Sequence, residues 1–160
     1  MRVRIFRACF AGFLGTIIIT CMVTFGSPTL VGGPVDLAVM LARWMGGSWL
    51  AGLAMHFTVG TLLLPVLYVE LLDRRLPGGP AVRGSLLGLA LWMVSQIVLI
   101  PASGGGFFSA ANGGLRVVTD SLVGHLAYGI VLGALAGELN ERVFSMRHEP
   151  TAKPRLRRAD

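Results

Sequence analysis

The chain has 160 residues, of which 54% are hydrophobic and 14% charged, and a formal net charge of +6. Soluble domains run near 45–50% apolar and about 25% charged, so the composition excludes an ordinary soluble enzyme, a disordered chain, a collagen and a disulfide scaffold. The basic excess is no sign of nucleic-acid binding either, because Lys and Arg sit at the edges of long charge-free runs rather than on a folded face.

In chain order, four runs meet the requirement of roughly 20 mostly apolar residues that a helix needs to cross a hydrocarbon core of about 30 Å. The first covers about 8–25, with Thr16, Thr20 and Thr24 as its only polar interruptions. The second covers 49–71 and contains Pro65, which is expected to kink it or open its hydrogen-bond ladder. The third covers 82–100 and is expected to stop at Pro101; the fourth covers 117–139. Lipid admits only helices or closed barrels, and these runs are too long and continuous for barrel strands. The expected fold is an all-α membrane protein, a four-transmembrane-helix bundle over residues 1–140.

The N-terminus imitates a signal peptide, with a basic start and an apolar stretch before Gly26-Ser27. The apolar run is longer than a signal core, and in Ile18-Ile19-Thr20-Cys21 a Thr stands where a lipoprotein cleavage box needs a small residue. The first span is therefore expected to be retained. Cys9 and Cys21 lie about 18 Å apart on that helix, too far to pair, and read as small packing residues.

The connections differ. Between the first two spans, residues 35–45 place Leu37, Met40, Leu41, Trp44 and Met45 at helical spacing, with Asp36 and Arg43 off that stripe. This predicts a short interfacial helix, with Trp44 and Trp49 as headgroup anchors. Residues 101–114 are Gly-rich with Phe107 and Phe108, and are expected to fold back over the bundle. Residues 141–160 hold six basic residues and two prolines, a tail expected to be disordered against anionic lipid. Twelve of the fourteen basic residues flank one side of the spans, leaving Arg43 and Arg116 on the other. The positive-inside rule then predicts that both termini and the connection between spans two and three are cytoplasmic.

Spans one and three open with Arg7-x4-Gly12 and Arg83-x4-Gly88, and spans two and four carry His56-x3-Gly60 and His125-x3-Gly129. Two separate motifs in the same order predict a duplicated helix hairpin, the halves related by an axis along the membrane normal. The stretches 54–61, 101–107 and 124–133, the two His-x3-Gly motifs above all, resemble a family of small bacterial four-helix inner-membrane proteins of unknown function. The resemblance covers about residues 7–138 and implies fold and location; it transfers no catalytic residue.

Polar groups at membrane depth are functional hypotheses by default. Rows at four-residue spacing place Thr16 and Thr20 on span one, Gly52, His56 and Gly60 on span two, Gly84, Gly88, Trp92 and Gln96 on span three, and Ser121, His125, Gly129, Gly133 and Gly137 on span four. The small residues, including Gly12, mark close helix packing. Thr20, His56, Gln96 and His125 each lie about 20 Å from the basic side, so one polar layer is expected, with His56 opposite His125 and Thr20 opposite Gln96. Three readings of it stand side by side. The first is hydrogen-bonding glue between helices in a non-enzymatic protein, with a homo-oligomer as the partner this reading allows. The second is a haem b or metal site with His56 and His125 as ligands. The third is a small-solute or proton path, with Asp120 and Ser121 at one mouth and Glu70 near the other. Against a proton path, Glu70, Asp73 and Glu138 sit at span ends, where solvation or pairing with Arg74 or Arg142 is expected. No nucleophile motif, P-loop or HExxH occurs, and two histidines do not make a closed zinc site.

Overall fold

The computed structural model describes residues 2–26 and 37–137, which form helices and no strands. Four helices are long and apolar enough to cross a membrane: α1 (Arg2–Phe25), α3 (Trp49–Leu72), α4 (Pro80–Ala102) and α5 (Leu115–Gly137). A short helix, α2 (Leu37–Ala42), lies between the first two and continues as a tight turn over Arg43–Met45. The protein is a multi-pass, all-α membrane protein. The interfacial helix expected from residue 35 is present from Leu37; its first two residues, Glu138, the last two residues of the fourth predicted span and the basic tail lie outside the described residues.

Helix boundaries follow local chemistry. The helix α4 starts at Pro80, ahead of its apolar run, because a proline's fixed φ and missing N–H suit the first helical turn. Ser48 caps α3 by accepting from the Ala51 N–H, and Gly46 and Gly47 take the positive φ values that turn the chain from α2 into it. Pro101 does not end α4, which runs through it to Ala102. A wide π turn, Ser95–Leu99, precedes that proline, with the Ile100 N–H bonded to the Ser95 carbonyl five residues back. Pro65 sits after a second π turn, Val59–Leu63, closed by the Leu64 N–H on the Val59 carbonyl. In an α ladder each proline ring would strike the carbonyl four residues back; the π turn moves that carbonyl aside. The ladder does open at Pro65, by widening rather than by breaking.

Because lipid tails are as apolar as leucine, the helices are held by close packing and hydrogen bonds rather than by escape from water. Their outer faces carry Phe6, Phe10, Phe13, Leu62, Leu63, Val94 and Val98, all exposed to the surroundings. Helix α5 packs against both α4 and α1, and α1 also packs on α3. The α4–α5 contact is backbone on backbone. A Cβ on Gly84 would run into the Gly129 carbonyl, one on Gly129 into the Gly84 carbonyl, one on Gly88 into the His125 carbonyl, and one on Gly133 into the Pro80 carbonyl. On the other side, Gly12 lies against Pro65 and the Gly60 carbonyl, and Gly60 against the Thr16 side chain. A Cβ on Gly137 would come within 2.8 Å of the Pro80 ring.

The two ends of the bundle differ. Towards the end bearing Arg2, Arg4, Arg7, Arg74, Arg75 and Arg83, a close-packed core joins Ala8, Ala11, Tyr68, Val69, Leu87, Tyr128, Leu132 and Ala136. Towards the opposite end the helices leave a cavity, and α2 helps to wall it. There Ala38 and Ala42 are buried against Gly52 of α3, a small-residue contact the sequence stripe did not include. Trp44 is not simply a headgroup anchor: its indole N–H donates to Ser103 Oγ at 3.0 Å. Arg43 donates to the Ser103 carbonyl at the C-terminal end of α4, where a cation also meets the negative end of the helix dipole.

Candidate functional site

The stripe of threonines on α1 sets the first half of the site. Thr16 donates to the Gly12 carbonyl at 2.7 Å, and Thr20 donates to the Thr16 carbonyl at 2.6 Å. A hydroxyl has one proton, so Thr20 has none left for His56 of α3, whose Nε2 stands 3.1 Å away. The imidazole must therefore donate, Nε2–H to Thr20 Oγ1, and for a neutral ring this leaves the lone pair on Nδ1.

The second histidine is held differently. Nδ1 of His125 lies 2.7 Å from the Ser121 carbonyl of its own helix, an acceptor only, so Nδ1 carries the proton. Ser121 Oγ is a looser neighbour at 3.4 Å. The lone pair of His125 is on Nε2. Thus the network assigns opposite tautomers to the two rings.

Both histidines line one cavity of about 260 Å³, which also has walls from Ile19, Met40, Leu91, Val117 and Tyr128. Gln96 is not part of it. This residue is fully buried, but its Oε1 accepts from Ser109 Oγ at 3.1 Å, and its Nε2 has no partner among the described residues. Thr20 is therefore joined to His56, and the expected pairing of Thr20 with Gln96 is replaced by a bond from Gln96 to the 103–114 segment. That segment does fold back: Ser109 is buried, Phe108 sets its ring edge-on to Trp92 at 6.2 Å, and both Phe108 and Ser109 hold positive φ. Left-handed backbone at two non-glycine residues is strained, and is held here by the Ser109 contacts.

The model for the Family of unknown function (DUF6789) matches residues 2–146. The chain belongs to this family. The match spans all four helices and both His-x3-Gly motifs, and it extends the sequence resemblance at both ends. No curated protein and no solved structure matches the chain. For this DUF6789 member the cavity residues are consequently read from their chemistry alone.

Tyr128 is the residue that sequence reasoning passed over. Its hydroxyl, on α5, donates to the Gly60 carbonyl on α3 at 2.7 Å. In the π register the Gly60 carbonyl faces the nitrogen of Pro65, which has no proton, while the Leu64 N–H is turned to Val59. Tyr128 supplies the donor that the proline lacks. The signal was available: a proline inside a span leaves a carbonyl in need of a donor, and a mid-span tyrosine needs an acceptor.

At the basic end a separate polar group corrects another expectation. Asp73 is not a solvated carboxylate paired with Arg74; it is 1% exposed, accepts from the Tyr68 hydroxyl at 3.3 Å and pairs with Arg83 at 3.5 Å. Glu70 is exposed. Cys9 and Cys21 are both free thiols. Among the described residues no three His, Cys, Asp or Glu side chains converge as a metal cluster.

Proposed function

We propose that this protein is a non-enzymatic membrane protein that binds an apolar small molecule in the cavity between its helices. The observation that carries this reading is the cavity of about 260 Å³ flanked by His56 and His125. Mostly apolar concavities with a few convergent polar groups are the usual form of a small-molecule site. On this reading the protein sits in a bacterial inner membrane with both termini cytoplasmic; the basic residues gathered on one side of the spans support the orientation. The two hairpins arose by duplication, a reading supported by the matching contacts Gly12 with Gly60 and Gly88 with Gly129.

Native mass spectrometry of the purified chain, with and without added hydrophobe, tests the binding. The expected result is a small-molecule adduct that disappears when the cavity is filled by Val59→Trp. A wild-type protein that takes up no hydrophobe overturns the reading. A reporter fused after Asp160 tests the orientation and is expected to be active only in the cytoplasm.

A haem is the second reading, favoured by one observation. His125 directs Nδ1–H to a backbone carbonyl and keeps Nε2 for a ligand, the arrangement that orients metal-bound imidazoles. His56 does not share it, since its Nε2–H is held by Thr20. A bis-imidazole haem would have to break that bond or ligate through Nδ1. An optical spectrum with metal analysis separates this reading from the first: a Soret band lost in His125→Ala supports it, and none excludes it.

A further inference from the structure

Beyond the presence of a ligand, the hydrogen-bond ledger of the cavity selects its chemistry. Around the walls, the donors are engaged within the protein. The Tyr128 hydroxyl is on the Gly60 carbonyl, the Trp44 indole on Ser103, and the Ser95 hydroxyl on the Trp92 carbonyl at 2.8 Å. His56 Nε2–H is on Thr20 and His125 Nδ1–H on Ser121. Among the described residues of these walls only the Ser121 hydroxyl proton has no assigned acceptor. Among the described wall residues the groups left over are acceptors: the Nδ1 lone pair of His56 and the Nε2 lone pair of His125, with the Asp120 carboxylate, itself engaged, a further acceptor on the lining. Burial in apolar surroundings favours the neutral rings that this assignment requires.

We infer that the cavity selects apolar molecules bearing an O–H or N–H donor, such as a phenol, a quinol or a long-chain alcohol, over equally apolar molecules with acceptors alone. This rests on the binding reading above and deepens it. The physical reason is an asymmetry. A donor ligand satisfies a buried imidazole nitrogen, whereas an ether or ketone brings a second lone pair against it and leaves both unpaired in a low-dielectric space. Of a quinol and its quinone, the cavity takes the form that carries the hydroxyl protons.

The test is equilibrium dialysis of the full chain in lipid nanodiscs, using 4-butylphenol and its methyl ether, 4-butylanisole, with empty nanodiscs subtracting partition into lipid. The expected result is phenol binding about tenfold tighter than ether, equivalent to about 1.4 kcal/mol. In His56→Phe/His125→Phe that ratio is expected to fall to about one while both probes still bind. Equal binding of the two probes to the wild-type chain overturns the donor rule and leaves the cavity reading standing. Binding of neither overturns both. The wild-type comparison decides the question without relying on a variant's fold.

Discussion

The two helix hairpins start from the same motifs and solve the same problem by different means. In α1–α3 one glycine, Gly12, approaches the Gly60 backbone, and side chains do the rest: Thr16 fills the space beside Gly60, and Thr20 reaches across to His56. In α4–α5 the backbones themselves meet, through Gly84, Gly88, Gly129 and Gly133. The residue of α4 that occupies the place of Thr20 is Gln96, and it turns to Ser109 instead. His125 then falls back on the carbonyl of its own helix. The difference between Thr20 and Gln96 thus goes with opposite tautomers of the two imidazoles. The frame fixes where a side chain starts, and the neighbouring loop decides where it ends.

The largest effect that can break this contrast comes from adding a methyl group to each glycine. Gly84→Ala places its Cβ against the Gly129 carbonyl and other backbone atoms, none of which can rotate away. A loss of about 2–3 kcal/mol in a detergent unfolding titration is expected, with no rescue by any side-chain change. Gly60→Ala meets the Thr16 side chain, so its smaller cost of about 1–2 kcal/mol should be largely recovered by Thr16→Ala. Equal rescue, or none, in both hairpins would remove the distinction between them.

Next in size is the bond that ties the hairpins together. Tyr128→Phe leaves the Gly60 carbonyl buried without a donor, at an expected cost of about 1–3 kcal/mol in the same titration. In a Pro65→Ala background the new N–H can serve that carbonyl, so the Tyr128→Phe penalty should fall to well under half. Simple additivity in this double-mutant cycle would show that the tyrosine does not stand in for the proline's missing proton.

A smaller effect separates Thr20 from Gln96. Thr20→Val removes the acceptor for His56 and is expected to cost about 0.6–1.7 kcal/mol, the range for hydrogen bonds between membrane helices. It should also shift the imidazole nitrogen resonances of His56 while leaving those of His125 in place. Gln96→Leu removes an amide whose Nε2 has no partner among the described residues, and is expected to change stability by no more than about 0.5 kcal/mol. Its visible consequence is faster proteolysis near Phe108, with both histidine spectra unchanged.

Much of the fold was legible in the sequence because a span is a matter of length and apolarity, and lipid admits few alternatives. The spacing of Gly84, Gly88, Gly129 and Gly133 also marked faces that turn into the bundle, and these two faces meet. Of the site, the meeting of Thr20 with His56 and the approach of both histidines to one cavity agree with the spacing, while the direction of Gln96 does not. Rise along a helix placed Thr20, His56, Gln96 and His125 at one level, yet it carries no record of what lies beside each side chain. Gln96 was lost to a loop whose Ser109 is brought close only by positive φ at two residues that gave no local warning. Asp73 was misplaced because a carboxylate at a span end is usually wet, and nothing in its neighbourhood announced that Tyr68 and Arg83 would enclose it. Pro101 misled for the opposite reason: the proline rule is sound, and a π turn is a way around it.

The bond from Tyr128 to Gly60 also bears on the order in which the protein is made. Chains emerge from the N-terminus, so α1 and α3 are inserted before the last helix exists. Until residue 128 leaves the ribosome, a first hairpin released into lipid would carry one carbonyl open where no water can reach it. That open valence gives the nascent hairpin a reason to stay at the insertion site, where polar company is available, and to move into lipid only with α5. The two halves are then expected to complete each other late in synthesis rather than to dock as two finished parts.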